Sequence, residues 1–232
     1  MPTTLSMADR TTLGASALTT RYDDALLFAA QHHRSQCRKG SRVPYLSHLM
    51  SVSALVLEHG GSEDQAIAGL LHDAVEDAPK GRGLDALRTI GDRFGGSVRE
   101  MVAACSDSLN DDEHGKAPWR ERKLAYVDAL ADRGQKSDDA VLVTAADKTH
   151  NALSIARDLR DYGTGFWRTF NACEHDLLWY YTAVEGAIAA RLGEHTVVTA
   201  LHRAVDELIA AGGLTRGDVP GEPAEGGCRR HP

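Results

Sequence analysis

One short segment limits what this chain can fold into more than any other. Residues 70–77 read Leu-Leu-His-Asp-Ala-Val-Glu-Asp, an apolar, helix-like run that carries one imidazole and three carboxylates. On a helix of 3.6 residues per turn, His72 lies next to Glu76 and Asp73 lies next to Asp77. Burying four polar groups beside leucine and valine costs free energy unless a partner is present. A divalent cation is the simplest partner, so the segment predicts a metal site on a helix.

The rest of the chain is typical of an all-helical domain. Its 232 residues are 42% hydrophobic, which supports a sizeable core, and only 6% are aromatic. Runs of β-branched residues are rare, and amphipathic helical patterns recur between Gly and Pro breaks. We therefore predict an all-α fold, a single-domain helical bundle over residues 21–211. The Thr/Ser/Ala-rich segment 1–20 and the Gly/Pro/Glu-rich tail 212–232 are predicted to be flexible.

Charge and cysteine content narrow the class of protein. A formal net charge of −7 argues against a general binder of nucleic acid or of a membrane surface, because such proteins are basic. No stretch approaches the roughly 20 apolar residues that span a bilayer, and the first 20 residues lack a secretory signal pattern. Four widely spaced cysteines are typical of reduced thiols. We expect a cytoplasmic protein with a small-molecule partner. The sequence leaves open whether the protein forms a homo-oligomer.

Two remote residues complete a candidate metal site. His48 lies in the preceding predicted helix, and Asp147 interrupts an apolar run late in the chain. Together with His72 and Asp73 they supply two nitrogen and two oxygen ligands, a set that suits Mn²⁺, Fe²⁺ or Zn²⁺ better than Ca²⁺ or Mg²⁺. Such a cation makes a water molecule acidic near neutral pH, which predicts a hydrolase. The alternative is a set of ordinary, hydrogen-bonded polar groups at helix ends.

The acidic pair Glu76 and Asp77 is the candidate catalytic pair. It lies one helical turn beyond the predicted ligands, where a carboxylate can orient or deprotonate an attacking water without binding the metal. The pKa values of two neighbouring carboxylates also tend to move apart, which suits acid–base chemistry. The alternative is a solvated helix C-terminus, although the helix dipole disfavours carboxylates there.

Basic and polar residues near these positions are candidate substrate contacts. Arg38 and Lys39 could bind phosphates or stack on a purine, or could instead cap the helix that precedes them. Lys148 follows Asp147 directly, and Asn151 lies one turn further on, so it faces the same cavity as Asp147. His150 lies about 60° around the helix from Asp147; it could border the cavity, but we assign it a structural role.

The motifs resemble those of a known family. The set His48, His72-Asp73 and Asp147 is similar to the metal-binding pattern of HD-domain phosphohydrolases. Three stretches narrow the resemblance to the hydrolase domain of RelA/SpoT-type proteins and to the free-standing small alarmone hydrolases. They are Arg38-Lys39 ahead of Pro44-Tyr45-Leu46-Ser47-His48, the residue 70–77 string, and Ala146-Asp147-Lys148-Thr149-His150-Asn151. The resemblance covers about residues 22–192.

This resemblance implies a fold, a cofactor and a reaction. It implies an HD-type helical bundle, a bound Mn²⁺ and removal of the 3′-pyrophosphate from (p)ppGpp, which yields GDP or GTP and pyrophosphate. It also implies that Asn151 and Ser154 contact the sugar or the phosphates of the nucleotide. Hydrolysis of another nucleotide, such as a nucleoside mono- or triphosphate or NADPH, and non-catalytic alarmone sensing are the alternatives.

The chain departs from the family pattern at three places. Leu49 stands where a proline usually follows the first metal histidine, and Ala78 stands where a threonine is usual. The basic loop between Arg38 and Pro44 is one residue longer than expected. None of these changes replaces a predicted ligand, but the loop change leaves the identity of the nucleotide open.

Overall fold

The computed structural model describes residues 18–106 and 117–224, and within them the regular secondary structure is helical. These residues form nine α-helices: α1 (Thr20–His32), α2 (Leu46–Glu58), α3 (Glu63–Leu71), α4 (Gly83–Phe94), α5 (Gly96–Cys105), α6 (Trp119–Ala131), α7 (Asp138–Tyr162), α8 (Glu174–Leu192) and α9 (Thr196–Ala211). Two short 3₁₀ helices span Thr164–Thr169 and Arg216–Asp218. The described residues contain no strand beyond an isolated bridge between Cys37 and Pro44. The predicted single-domain helical bundle is confirmed.

Helix starts follow local capping signals. The Ser62 side chain accepts a hydrogen bond from the backbone N–H of Gln65, and the Gln65 side chain accepts one from the backbone N–H of Ser62. This capping box starts α3 as the sequence predicts. Ser137 caps α7 in a similar way, since its side chain accepts from the N–H of Ala140. Helix α6 begins directly after Pro118 and spans Trp119–Ala131.

The long helix α7 is the centre of the molecule. It packs against α2, α3, α5, α8 and α9, and residues 140–147 along it are all buried. Most of these buried residues are Ala or Val, whose small side chains let the neighbouring helices approach closely. Asp147 therefore enters the site from the middle of the core.

The end of α3 differs from the prediction. The helix was expected to continue through Asp77, but it ends at Leu71, and residues 72–77 form a series of turns. The N–H of Ala74 donates to the Leu71 carbonyl oxygen three residues back, whereas the N–H of Asp77 donates to Asp73 four residues back. The backbone of His72 is still helical, with φ −58° and ψ −31°, and its Nε2 atom lies 2.9 Å from an Asp73 oxygen.

The cysteines differ in part from the prediction. Cys37 and Cys105 are free thiols, but Cys173 is disulfide-bonded, so the prediction of reduced thiols is wrong for Cys173. His33, directly after α1, is 3% exposed, and the aromatic residues 179–181 are buried in the core.

The segment after α9 returns along α8. The Trp179 indole N–H donates to the Gly221 carbonyl oxygen at 3.2 Å, and the Ala224 N–H donates to Asp176 at 2.9 Å. Most of the predicted flexible segment 1–20 and the last part of the predicted tail 212–232 lie outside the described residues. None of the described helices has the length and apolar character that a membrane crossing requires.

Candidate active site

Four predicted ligand side chains converge between α2, α3 and α7. His48 lies in the first turn of α2, His72 and Asp73 directly follow α3, and Asp147 lies midway along α7. The Nε2 atom of His48 is 3.5 Å from an Asp73 oxygen and 3.2 Å from Asp147 Oδ1. The Nε2 atom of His72 is 2.9 Å and 3.4 Å from those same two oxygens. Residues up to 99 positions apart in sequence thus place their polar atoms around one point.

The two histidines present ring nitrogens suited to a cation. Both Nε2 atoms are buried, and no described residue meets either with the geometry of a hydrogen bond, although the carboxylate oxygens are close. The Nδ1 atom of His72 lies 2.9 Å from the carbonyl oxygen of Gly69. A carbonyl can only accept, so Nδ1 carries a proton, and in the neutral imidazole, the form that binds a metal, Nε2 carries the lone pair. The group of His48, His72 and Asp73 could therefore hold a metal ion.

Electrostatics keep both carboxylates charged. Burial would raise the pKa of Asp147, but Lys148, which donates to it at 2.7 Å, and then His72 hold that pKa well below its usual value. Burial opposes ionisation of Asp73 as well, yet His72 beside it lowers the pKa of Asp73 well below the ordinary range. Burial lowers the pKa of His72, and the two carboxylates more than offset this and raise it. A dipositive ion among these groups would meet two negative charges.

Tyr45 fixes the orientation of Asp73. The tyrosine lies immediately before α2, and its hydroxyl donates to Asp73 Oδ2 at 2.6 Å. Its ring stacks on His33, with the ring centroids 5.3 Å apart. Burial, followed by the charge of Asp73, raises the pKa of Tyr45, so the phenol stays a hydrogen-bond donor.

A cavity of about 110 Å³ opens beside the cluster. The described residues that line it are Tyr45, His72, Asp73, Glu76, Cys105, Lys123, Tyr126, Asp147, Lys148, Asn151 and Tyr180. Lys123 and Lys148 both lie over the Tyr180 ring, with Nζ 4.7 Å and 5.7 Å from its centroid. The cavity of this acidic protein therefore carries two ammonium groups beside the candidate metal cluster, which favours an anionic ligand.

The predicted substrate contacts do not all reach the cavity. Arg38 donates to Asn151 Oδ1 at 2.8 Å, and Asn151 donates to Asp147 Oδ1 at 2.5 Å, so the basic loop connects directly to a predicted ligand. Lys39 lies over the Phe170 ring at 5.3 Å. Ser154 is buried and accepts a hydrogen bond from Arg157 at 3.1 Å. Arg38, Lys39 and Ser154 are not among the described residues that line the cavity, whereas Lys148 and Asn151 are.

The two residues of the acidic pair point in different directions. Glu76 lines the cavity. Asp77 accepts a hydrogen bond from Gln36 at 2.9 Å, and His33 Nδ1 lies 3.9 Å from the same oxygen. Burial and the nearby charge of Asp73 raise the pKa of Asp77 despite the bond from Gln36. The structure therefore places Glu76 closer to the cavity than its neighbour.

Sequence reasoning missed several residues of this site. Tyr45, Lys123 and Tyr180 line the cavity but were not candidate site residues. His150 was assigned a structural role, yet its Nδ1 atom lies 2.8 Å from Nδ1 of His48. Burial, followed by the charges of His48 and Arg38, lowers the pKa of His150 to about 4. No local signal points to Lys123, because its position depends on how α6 packs against α8.

The chain is similar to several known proteins. The family model for the HD domain matches residues 25–164. The guanosine-3′,5′-bis(diphosphate) 3′-pyrophosphohydrolase MESH1 of Xenopus tropicalis is 34% identical over 137 residues, which is 58% of this chain and 69% of MESH1. The bifunctional (p)ppGpp synthase/hydrolase SpoT of Escherichia coli K12 is 29% identical over 140 residues, 58% of this chain but 18% of SpoT. This chain thus matches less than a fifth of that longer relative.

A solved structure is also similar. A metazoan orthologue of SpoT, described as hydrolysing ppGpp, superposes with a TM-score of 0.63 and 26% identity. The superposition covers 86% of this chain and 99% of that one. The similarity therefore extends over nearly the whole of that protein.

Proposed function

This chain belongs to the HD domain family, and we propose that it is a metal-dependent hydrolase that removes the 3′-pyrophosphate of (p)ppGpp. The products are GDP or GTP and pyrophosphate. One observation carries the proposal: the buried Nε2 atoms of His48 and His72 face two ionised carboxylates beside a cavity that contains two lysines. The Xenopus relative is named for this reaction.

We propose His48, His72, Asp73 and Asp147 as the metal ligands and Mn²⁺ as the metal. Two imidazoles and two carboxylates form a mixed nitrogen and oxygen set, which suits a divalent transition metal. When bound, the cation polarises phosphate oxygens and lowers the pKa of a nearby water. The chain's own contribution is to hold the ligands: Tyr45 and Lys148 donate to the carboxylates, and the Gly69 carbonyl sets the tautomer of His72.

Glu76 is the proposed proton acceptor. It lines the cavity beside Asp73, so its carboxylate can orient the attacking water and accept its proton. The water oxygen bonds to the phosphorus attached to the ribose 3′ oxygen. The bond from that phosphorus to the 3′ oxygen breaks, and the 3′ oxygen takes up a proton. Asp77, held by Gln36, is proposed to assist from the rim of the site.

Basic residues are proposed to bind the phosphates. Lys148 lines the cavity, and Arg38 reaches it through Asn151, so a polyphosphate can meet positive charge at both places. Lys39 and Ser154 are proposed to contact the nucleotide further from the metal. We also propose that the protein acts in the cytoplasm on this small molecule, without a nucleic-acid or membrane partner. The net charge of −7 supports the absence of those two partners, because proteins that bind nucleic acid or membrane surfaces are generally basic.

Product analysis tests the reaction. Protein purified without chelator, supplied with Mn²⁺ and ppGpp, is expected to release GDP and pyrophosphate, which ion-exchange chromatography resolves. Asp73→Asn should abolish release, whereas Asp161→Asn, an exposed residue at the end of α7, should not alter it. Turnover of only NADPH or a nucleoside triphosphate in the same assay would contradict the substrate. Tight ppGpp binding without products would contradict the enzymatic function and favour a sensor.

A further inference from the structure

A second histidine lies directly behind one of the proposed metal ligands. The Nδ1 atoms of His48 and His150 are 2.8 Å apart, and their ring centroids are 4.9 Å apart. His48 is fully buried in the first turn of α2, and His150 lies on α7, three residues after Asp147. Two nitrogens at this distance form a hydrogen bond only if one donates and the other accepts.

A cation bound at Nε2 of His48 would decide which of the two Nδ1 atoms is the donor. Nε2 of His48 is the atom that faces Asp73 and Asp147, so it must carry a lone pair to bind a metal. A neutral imidazole has one N–H, and in His48 that proton must then lie on Nδ1. Nδ1 of His150 must accept it, and the proton of His150 itself lies on Nε2.

The two proposed histidine ligands are therefore held in different ways. His72 donates its Nδ1 proton to the backbone carbonyl of Gly69, an acceptor only three residues earlier in the chain. His48 has a side-chain acceptor instead, and that acceptor lies one helical turn from Asp147. Helix α7 thus provides both a ligand and the group that orients another ligand.

We infer that His150 is a positioning residue that holds His48 in the tautomer and ring orientation required to bind the divalent cation. The inference rests on the metal site in the proposed function but not on the identity of the nucleotide. Groups that accept a hydrogen bond from a metal-binding histidine typically change metal affinity by about 10–100-fold when they are removed.

Metal affinity tests the inference without reference to catalysis. In His150→Leu the Nδ1 proton of His48 loses its acceptor, and we expect the Kd for Mn²⁺, measured by EPR of the free ion, to rise by about 10–100-fold. His150→Asn places an amide oxygen near the position of Nδ1, so it should restore most of the affinity. His175→Leu, an exposed histidine in the first turn of α8, is the matched control and should bind Mn²⁺ like the wild type.

Nuclear magnetic resonance of the unmodified protein gives an independent readout. In the ¹⁵N-histidine-labelled protein loaded with diamagnetic Zn²⁺, a scalar coupling between the two Nδ1 atoms is expected, because such coupling crosses an N–H···N hydrogen bond. Its absence, or an unchanged Mn²⁺ affinity in a folded His150→Leu, would overturn the inference. If His150→Leu does not fold, the presence or absence of the scalar coupling between the two Nδ1 atoms tests the inference by itself. If the wild-type protein binds Mn²⁺ and His150→Leu weakens that binding, but the wild type does not hydrolyse ppGpp, the proposed function is contradicted and this inference stands.

Discussion

At the scale of single residues, the site consists of buried polar groups whose cost is offset by one another. His48, His72 and Asp147 are at most 6% exposed. An unpaired charge at such depth would destabilise the fold by several kcal/mol, so the folded state needs the neighbouring opposite charges. Because the two histidine Nε2 atoms have no hydrogen bond among the described residues, the cluster is not fully satisfied by the protein. These two nitrogen atoms support the proposal that the cluster binds a cation.

The first prediction concerns Asp147. Asp147→Asn removes one negative charge and one proposed ligand atom while it keeps the side-chain shape. We expect the Mn²⁺ affinity to fall by more than about 100-fold, because changes outside the ligand set alone cost about 10–100-fold. Isothermal titration measures the affinity, and Asp161→Asn on the same helix is the control. Wild-type affinity in Asp147→Asn would exclude Asp147 as a ligand.

The second prediction concerns the hydroxyl of Tyr45. Tyr45→Phe keeps the ring that stacks on His33 but removes the hydrogen bond to the Asp73 carboxylate. Since hydrogen bonds to charged groups contribute about 1.5–3 kcal/mol and Asp73 is partly exposed, we expect a loss of about 1.5 kcal/mol in unfolding free energy. Urea unfolding in the presence of chelator measures it. Tyr162→Phe, at an exposed tyrosine on α7, should leave the stability unchanged.

At the scale of elements, the close contact between α2 and α3 determines how near the two proposed histidine ligands can come. A Cβ atom on Gly69 would lie 3.1 Å from Cα and 3.3 Å from N of Ser53. The Ser53 hydroxyl, itself buried, donates to the Ala66 carbonyl oxygen at 2.9 Å across the same contact. Glycine at this position therefore lets the backbones of the two helices approach, and the proposed ligands His72 and Asp73 come directly after the end of α3.

The third prediction tests this contact. Gly69→Ala adds a methyl group where Ser53 leaves no room, so we expect a loss of about 1–3 kcal/mol in stability and weaker Mn²⁺ binding. Gly186→Ala is the matched control: this exposed glycine lies within α8 and a Cβ there meets nothing within 4 Å. Alanine at that position should stabilise the protein by about 0.5–1 kcal/mol. Equal effects of the two changes would contradict the close-packing argument.

Element bounds show where sequence reasoning succeeds. The capping box of Ser62 and Gln65 and the helix Trp119–Ala131 were predictable, because caps, helical period and Pro/Gly breaks act over a few residues. The end of α3 at Leu71 was not predictable. Asp73 there is held by Tyr45, 28 residues away, and no local pattern records that contact.

At the scale of the whole molecule, ion pairs join the 3₁₀ helix Arg216–Asp218 to α8 and α9. Arg216 donates to both oxygens of Glu185, at 3.0 and 3.1 Å, and to Asp206 at 2.6 Å. His202 also contacts Glu185, with Nδ1 at 2.6 Å. This cluster joins α8, α9 and the last 3₁₀ helix. Since α8 also carries Tyr180, the cluster supports one wall of the cavity.

The fourth prediction concerns this cluster. Arg216→Met leaves the nearly buried Glu185 with fewer donors, and we expect the unfolding free energy to fall by about 2 kcal/mol. Chemical denaturation measures the change. Arg203→Met, at an exposed arginine of α9, should alter stability by less than about 0.5 kcal/mol. A neutral effect of Arg216→Met would show that the cluster does not contribute to the fold.

The fifth prediction concerns metal removal. A cation that binds only the folded state adds about 2.7 kcal/mol to the unfolding free energy when its free concentration is 100 times its Kd. For a chain of this size that should raise the Tm by about 5–11 °C over the chelator-treated protein. Differential scanning calorimetry measures the shift, and it should vanish in Asp147→Asn. A shift of the same size in that variant would place the cation elsewhere.

The sequence alone determined the helical class, most helix starts and the identity of the four side chains that meet at the site. Those properties depend on hydrophobic period, on capping and on residue chemistry, all of which can be read locally. Only the tertiary structure decided the turn after Leu71, the different directions of Glu76 and Asp77, and the pairing of His150 with His48. The last pair is separated by 102 positions. Such contacts arise from the packing of α2, α3 and α7, and no pattern within one helix specifies them.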